Sequence, residues 1–437
     1  MDASASGIAE LLGTIEGLVP GPPLGVGHLR VTGGGGLASA FDVDRLALAS
    51  VAAANLAHGV AEVDVARVVT AFTGHVAVDG EPMPKWADLS GYYRTRDDRF
   101  MQFHCNFAHH ADGVVRRLGC APTREAVQDA VLTWDPLELE AALIADGMIA
   151  ARLRTLEEWH DHPHAAAVRD LPVVTVERLG DAPPRPAGRR LRVLDCSRVL
   201  AGPIAGQTLA AHGADVLRVG AAHLPSVDVG VIGTGAGKRN AFVDIDEPAG
   251  AATFAALLDD ADVWLDAYRP GAFADRGFDL DRLPAGAVAV QLCAFDWAGP
   301  WAGRRGFDSI VQSTTGVVHA GTTAADVDGP VPLPVQALDY ATGFLAACAA
   351  RRLVAHQADV GGTWLARLSL VRTRNLLVSL GAPKAFTPAP AVADEGSLER
   401  FDTAFGAVTV AGPVGGRFSW GPRPLGADDA AWAAAPD

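Results

Sequence analysis

The chain has 437 residues, of which 49% are hydrophobic, and a formal net charge of −15. This length predicts two or three lobes and enough buried apolar surface to fold without metals or disulfides. The acidic balance argues against nucleic acid or an anionic membrane surface as the main partner, and an anionic small ligand would need a locally basic pocket.

The five cysteines are scattered and lack a CxxC spacing, which is typical of reduced thiols in a cytoplasm and gives no zinc pattern. The N-terminal segment lacks the basic and apolar regions of a signal peptide. Charges, glycines or prolines interrupt every apolar run before it reaches membrane length. We therefore expect a soluble, cytoplasmic protein with no metal, no nucleic acid partner and no membrane partner.

The first predicted unit, residues 1–85, is an N-terminal helical segment that packs on a larger domain. Apolar residues recur at helical spacing in Phe41–Gly59 and again in Val63–Phe72. The glycine run Gly33–Gly36 precedes these helices. A flexible connector is the simplest interpretation of this run, and a backbone that approaches a ligand or supplies oxyanion donors is the alternative.

Residues 86–180 change in character and predict a small α+β lobe. The aromatic-rich segments Tyr92–Thr95 and Phe100–His104 flank a polar turn, as in a β-hairpin, and three helices follow. The proline-rich residues 181–190 then predict a linker to the next domain.

Two groups of histidines lie in this lobe. Those in His160–His164 are spaced closely enough for a metal site, but Pro163 breaks the helix that would align them. We interpret them as surface histidines beside a helix end, and we discount the pair His109–His110 in the same way.

The stretch Leu191–Val219 has the clearest local pattern. Apolar Leu191–Asp195 has strand length, and a polar turn leads into helix formers that end at Gly213, before a second apolar strand. Strand, turn, helix and strand make a βαβ unit, and the alternation continues beyond it. The sequence therefore predicts an α/β fold over residues 191–385, with a parallel nucleotide-binding-type sheet flanked by helices, and a Pro/Gly-rich C-terminal tail over residues 386–437.

Within this domain, Val243–Ile245 is expected as a strand and Asp308–His319 as one helix. The glycine-rich Gly233–Lys238 is no P-loop, because Ile232 stands where the first glycine belongs and Arg239 stands where Ser or Thr should follow the lysine.

Charged residues provide the candidates for chemistry. Cations fall near the ends of the predicted α/β elements at Arg198, Arg218, Lys238, Arg239, Arg269, Arg276, Arg304 and Arg305. Gathered at one sheet edge they would suit phosphates, and ordinary surface charges are the alternative. Asp339 begins a long apolar helix, where an N-cap is the default role. A carboxylate held at a helix start in a cleft is also well placed as a nucleophile.

The order of these segments resembles the class III CoA-transferase family of the CaiB/BaiF type, which includes formyl-CoA and carnitine CoA-transferases and α-methylacyl-CoA racemases. The stretches that carry the resemblance, in family order, are LDCSRVLAGPIAGQTLAAHGADVLRV, GAGKRNAFVDI, ADVWLDAYRPGAFADRGFD, WAGRRGFDSIVQSTTG and LDYATGFLAACAA. The resemblance implies coenzyme A or acyl-CoA as a substrate, a carboxylic acid as the second substrate, and two chains interlocked as a homodimer.

By the same resemblance, Asp339 matches the family's catalytic aspartate. The positions that match the family's CoA-contacting residues are Val199, Leu200, Ala201, Arg218, Tyr268, Arg269 and Arg276. The implied enzyme is a CoA-transferase that works through an acyl-aspartyl anhydride and an aspartyl-CoA thioester.

The chain departs from the family pattern in two ways. Family members begin with the CoA-binding sheet, whereas here the small lobe comes first, which indicates a rearranged domain order and leaves open whether lobe and sheet meet over one active site. Racemases carry a histidine before the aspartate of the GFDSI-like segment, where this chain has Phe307, and phenylalanine cannot serve as a base. A transferase is therefore favoured, with an acyl-CoA racemase or isomerase and a catalytically inactive CoA-binding homologue as alternatives.

Overall fold

The computed structural model describes residues 3–186 and 188–434. Its helices are α1 (Ala3–Leu18), α2 (Val43–Ala57), α3 (Val65–Thr73), α4 (Ala108–Leu118), α5 (Arg124–Leu132), α6 (Pro136–Ala145), α7 (Leu156–His160), α8 (Pro163–Val168), α9 (Ala201–Ala211), α10 (Asp228–Gly233), α11 (Pro248–Asp259), α12 (Asp308–Thr314), α13 (Val317–Ala325), α14 (Ala337–Val360) and α15 (Leu370–Ser379). Its strands are β1 (Arg30–Thr32), β2 (Glu62–Asp64), β3 (Val76–Val78), β4 (Glu81–Pro82), β5 (Gly91–Arg94), β6 (Phe100–Phe103), β7 (Ala150–Arg152), β8 (Val174–Gly180), β9 (Arg192–Cys196), β10 (Asp215–Gly220), β11 (Arg239–Phe242), β12 (Val263–Asp266), β13 (Val288–Cys293), β14 (Thr363–Ser369), β15 (Leu398–Thr403) and β16 (Gly406–Ala411). The predicted N-terminal segment, linker and tail extend outside the described residues at 1–2, 187 and 435–437.

The largest sheet has seven strands in the order β11-β10-β9-β12-β13-β14-β8. All of its neighbouring strands are parallel except β8, which pairs antiparallel with β14 at one edge. Alternate residues enter different apolar clusters, with Val193 and Val263 in one and Leu194 and Trp264 in the other. Both faces are therefore buried, as parallel sheets require. The α/β fold class expected from the sequence is confirmed.

Helix α14 is the central helix of the larger apolar cluster and packs against α2 and α9. A Cβ atom on its Gly343 would lie 2.6 Å from the Ala201 carbonyl oxygen and 2.8 Å from the Ile204 Cβ. Glycine at this position therefore lets α9 approach α14 closely. Because Asp339 lies one helical turn before Gly343, this close approach places the Asp339 side chain beside the start of α9.

The antiparallel sheet β5-β6-β7 and helices α4 to α6 form a separate apolar cluster. Pairing of β5 with β6 confirms the predicted hairpin. A buried ion network joins this region to the segment before α12, because the Glu140 carboxylate accepts hydrogen bonds from Arg154 (3.0 Å) and Arg304 (3.4 Å). The region that the sequence predicts as a small lobe is thus fastened to the parallel-sheet domain through charged side chains.

The two ends of the chain share a third sheet, with strand order β15-β16-β3-β4. Val408 and Val410 of β16 pair with Val78 and Val76 of β3. Strands β15 and β16 lie in the region that the sequence predicts only as a Pro/Gly-rich tail. Its strands were missed because their pairing partner lies near the other end of the sequence, where local patterns give no sign of it.

Two predicted elements need correction. The strand expected at Val243–Ile245 is β11 (Arg239–Phe242), immediately before it. The helix expected over Asp308–His319 is two helices, α12 and α13, because Gly316 interrupts it with a left-handed backbone at φ +85°. Among the helices of the described ranges, none combines the length and apolar character needed to cross a membrane.

Candidate active site

A cavity of about 580 Å³ opens at the carboxyl ends of the parallel strands. This is the edge at which open parallel sheets bind their ligands. The sequence-predicted site residues that line it are Val199, Leu200, Ala201, Tyr268, Arg269, Arg276 and Asp339. Residues that are scattered over much of the second half of the chain therefore meet at one surface.

Arg218 is the predicted site residue that does not line this cavity. Its guanidinium donates from Nε to the Ser197 carbonyl oxygen (3.2 Å), and it lines a small adjoining pocket instead. Arg276 does line the cavity, but its guanidinium is held by Asp246, at 2.6 Å from Nε to Oδ1. Neither arginine is therefore as free to meet a ligand as the sequence suggests.

Asp339 lies in the first turn of α14 and its side chain borders the cavity, with only 7% of the residue exposed. Its backbone N–H donates to Oδ2 of Asp308 at 2.8 Å. Burial raises the pKa of the Asp339 carboxyl well above its ordinary value, and the Asp308 charge raises it further. Hydrogen bonding from the Ala201 N–H opposes this rise. Asp339 is thus a carboxyl group held largely out of water at a helix start, with one backbone donor from α9.

Asp308, in the first turn of α12, is the support for this helix start. It is fully buried, and its carboxylate also accepts a hydrogen bond from Gln312 Nε2 at 2.6 Å. Burial raises its pKa to about 7. Because its Oδ2 accepts from the first turn of α14, Asp308 caps that helix from outside, in place of the side-chain cap that Gln336 does not supply. The capping role of Asp308, directly after Phe307, depends on a contact with a distant helix and is not visible in the sequence pattern.

The backbone before α9 is strained at the cavity wall. Val199 has φ +73°, in the left-handed region that β-branched residues avoid, at a cost on the order of 1–3 kcal/mol. Such strain is found mainly at ligand-binding segments. Here it brings Val199–Ala201 to the cavity and aims the first turn of α9 at Asp339.

Apart from Arg218 and Arg276, the predicted cations divide into two groups. Lys238, Arg239 and Arg304 are partners of buried carboxylates; Lys238, for example, donates to Asp195 Oδ2 at 3.1 Å with both side chains fully buried. The carboxylates already engage these three side chains, so they are neither free to bind phosphates nor ordinary surface charges. Three arginines line the cavity and have no carboxylate partner among residues 3–186 and 188–434, namely Arg198, Arg269 and Arg305.

The first half of the chain completes the cavity wall. Phe107, His109, His110 and Ile149 line it together with Asp339. The His110 ring centroid lies 6.4 Å from that of Phe307. The lobe, although it precedes the sheet in the sequence, therefore meets the sheet over one cavity, a point that the sequence left open. His109 and His110 had been discounted as surface residues, and for His110, which is 4% exposed, that interpretation is wrong.

Position excludes the alternative interpretation of Gly33–Gly36, a backbone that approaches a ligand, and the expected surface location of His164. Gly33–Gly36 does not line the cavity, and the nearest atoms to a Cβ on Gly33 and Gly36 are the carboxylates of Asp64 and Asp44. This run therefore supplies no oxyanion donor to Asp339. His164, expected on the surface, is fully buried against Trp301, at 5.6 Å between ring centroids.

Comparison with known proteins identifies the family of the segment that carries Asp339. The model of CoA-transferase family III matches residues 189–405, and this part of the chain belongs to that family. The resemblance identified from the sequence is thereby confirmed. The family match covers the central sheet from β9 to β14, α9, α14 and Asp339, while residues before 189 lie outside it.

Several relatives are named as CoA-transferases. The chain is 28% identical over 219 residues to an acetyl-coenzyme A transferase of Hypoxylon pulicicidum, covering 48% of this chain and 34% of that protein. It is 31% identical over 188 residues to a succinate–glutarate CoA-transferase of Agrobacterium fabrum, covering 38% and 46%. The chain thus spans less than half the length of these relatives. A CAIB/BAIF family protein of Brucella suis is similar over 51% of this chain and 65% of its own, with 23% identity and a TM-score of 0.38.

Proposed function

We propose that the protein is a CoA-transferase that moves CoA from an acyl-CoA thioester to a free carboxylic acid, with Asp339 as the catalytic nucleophile. The observation that carries this proposal is the position of Asp339 at the wall of a partly basic cavity, within a segment that belongs to CoA-transferase family III. We propose Val199, Leu200 and Ala201 as backbone contacts to the thioester arm.

Two of the proposed CoA contacts differ in their availability. Arg269 lines the cavity and forms no ion pair with a carboxylate in the described part of the chain, so its guanidinium can meet a phosphate of CoA. Arg276 would first have to leave Asp246. We therefore rank Arg269 and its neighbour Tyr268 above Arg276 and Arg218 as CoA contacts.

The proposed reaction proceeds in four balanced steps. The Asp339 carboxylate attacks the donor thioester carbonyl, the C–S bond breaks, and CoA leaves as the thiolate. The thiolate attacks the aspartyl carbonyl of the mixed anhydride, which releases the donor acid as its carboxylate and leaves an aspartyl-CoA thioester. The acceptor carboxylate then attacks this thioester to give a new anhydride and thiolate. Thiolate attack on the acceptor carbonyl releases the new acyl-CoA and restores Asp339.

The surroundings of Asp339 suit this chemistry in physical terms. A carboxylate is a weak nucleophile in water, and a site that removes solvent and fixes geometry makes it more reactive. Burial of Asp339 provides the first condition, and the hydrogen bond from its own N–H to Asp308 provides the second. The raised pKa of Asp339 means that the reactive ionised form increases as the pH rises.

The test is exchange of isotopic label between acyl-CoA and free acid across a panel of acyl-CoAs and carboxylic acids. Asp339→Ala should lower the exchange rate by about 10⁴-fold or more, because nothing else in the proposal can form the anhydride. Asp359→Asn is the matched control, since Asp359 is exposed near the far end of the same helix. Full exchange activity in Asp339→Ala, or deuterium uptake at the α-carbon without any acid, would contradict the proposal.

Two further parts of the proposal concern the whole protein. We propose an interlocked homodimer, which predicts a mass in solution of twice the 45.3 kDa chain by light scattering. We also propose a cytoplasmic location, which the free thiols of all five cysteines suit. A monomeric mass under all conditions would rule out the homodimer without touching the assignment of Asp339.

A further inference from the structure

We propose that the lobe-facing wall of the cavity holds an anion subsite, formed by the start of α4, His110 and Arg305, which binds the second carboxylate of a dicarboxylic substrate. This inference rests on the proposed CoA-transferase function and adds the class of acid to it. Residues of the first half of the chain, which the family match does not include, would then select the substrate together with Arg305.

The first observation is that helix α4 begins at the wall of the cavity. Phe107 and His109, at the N-cap and in the first turn of α4, line the cavity, and Phe107 offers no side-chain acceptor to the N–H groups of that turn. The helix has 11 residues, and its unpaired N–H groups and dipole favour an anion at this end.

A second and independent observation comes from His110. This residue lines the same cavity wall and is 4% exposed, and its Nδ1 has no hydrogen-bond partner within residues 3–186 and 188–434. A buried polar atom without a partner is costly, and such atoms are rare in folded proteins. A bound carboxylate, after a small rotation of the ring, would supply the missing partner.

The third observation is the positive charge of two arginines at this wall of the cavity. Arg305 is exposed to the cavity and holds only the Gly147 carbonyl oxygen, at 3.1 Å from Nη1. The positive charges of Arg305 and Arg198 both lie near enough to His110 to lower the pKa of its imidazole, which burial and His109 already depress, to about 4. These two arginines have no carboxylate partner in the described ranges, so both guanidinium groups are free to pair with an incoming anion.

The His110 side of the subsite favours an acid over the phosphates of CoA, whereas the charge of Arg305 also interacts with Arg269, the proposed phosphate contact. The subsite is close to Asp339, because His110 packs near Phe307 and the next residue, Asp308, binds the Asp339 N–H at 2.8 Å. In CoA the phosphates are separated from the thioester by the whole pantetheine arm. A thioester placed at Asp339 therefore leaves this neighbourhood to the acyl group and the acceptor acid, and a second carboxylate on either would reach the cations.

The experiment compares acids of equal length with one or two carboxylates. Glutarate and pentanoate are titrated calorimetrically into the CoA-saturated protein, and the same acids are offered as acceptors in the exchange assay. We expect glutarate to bind at least about tenfold more tightly than pentanoate, because one more charged hydrogen bond is worth that factor or more. Arg305→Gln should remove most of this preference, and Arg305→Lys should restore part of it. Arg400→Gln, at an exposed site outside the cavity, is the control.

Each outcome decides between the inference and its alternatives. Loss of the glutarate preference in Arg305→Gln with an unchanged Kd for CoA supports the subsite. A weaker Kd for CoA with equal loss for both acids would assign the arginine to the CoA phosphates and overturn it, as would no preference in the wild type. If binding shows the preference but no acid supports exchange, the subsite stands and the proposed transferase function fails.

Discussion

Two buried aspartates lie beside helix α9, Asp195 near Gly206 and Asp339 near Ala201, and their charged neighbours differ in sign. Asp195 is paired with Lys238, whose ammonium also donates to the Pro203 carbonyl oxygen at 3.1 Å. Asp339 has another carboxyl group, Asp308, as its neighbour and has no cation within an ion-pair distance in the described part of the chain. Two buried carboxyl groups are therefore a structural ion pair in one place and, in the other, a group with a raised pKa that we propose as the nucleophile. The partner, and not the burial, decides what a buried acid does.

The largest expected effect tests the structural member of this comparison. Lys238→Met should destabilise the protein by about 3–5 kcal/mol, because it leaves the Asp195 carboxylate buried without its cation. The measurement is the free energy of unfolding from denaturant titration. Lys384→Met, at an exposed lysine, is the control. If Lys238→Met unfolded no more easily than this control, the contrast between the two aspartates would lose its basis.

A smaller effect is expected where α9 meets α14. Gly343→Ala would force a Cβ to within 2.6 Å of the Ala201 carbonyl oxygen, so α9 must shift away from Asp339. We expect a loss of about 1–3 kcal/mol in stability together with slower exchange. Gly13→Ala is the control, since the space around Gly13 in α1 is open and alanine is the better helix former. Exchange that is unchanged in Gly343→Ala would show that the Ala201 N–H does not assist Asp339.

The smallest effect concerns the two carboxyl groups themselves. Asp308→Asn removes the charge that helps to raise the pKa of Asp339, so the rise of kcat/KM with pH should shift to lower pH. We expect the exchange activity of the wild type to fall as the pH is lowered, because a protonated Asp339 would not be nucleophilic. An unshifted pH profile in Asp308→Asn would show that the two groups do not interact.

The same substitution has a signature in stability. The pKa of Asp308 is raised to about 7 in the folded state, against about 3.9 in an unfolded chain. The folded state therefore favours the protonated form, and the stability that this provides is complete below about pH 4 and is lost as the pH rises through about 7. The stability of Asp308→Asn should consequently increase relative to that of the wild type as the pH rises across this window. Melting temperatures of the two proteins across the window measure the difference.

The sequence predicted those features of the fold that are determined by local patterns of residues. The βαβ unit around Leu191–Val219 and the helix that begins near Asp339 follow from apolar periodicity, and the quoted motifs pointed to the family, which was confirmed. The burial of Lys238 could not be predicted from the spacing of residues in the sequence, because its partner Asp195 lies much earlier, in strand β9. The meeting of His110 with Arg305 depends on how the lobe docks, which is a property of tertiary packing.

The sheet shared by β3 and β16 ties the beginning of the chain to its end. A polypeptide still emerging from the ribosome cannot complete this sheet before residues 406–411 have been synthesised, and pairing of strands so distant in sequence is slow. A product truncated after α15 would therefore carry the family's motifs and Asp339, yet its strands β3 and β4 would lack their partner strand β16.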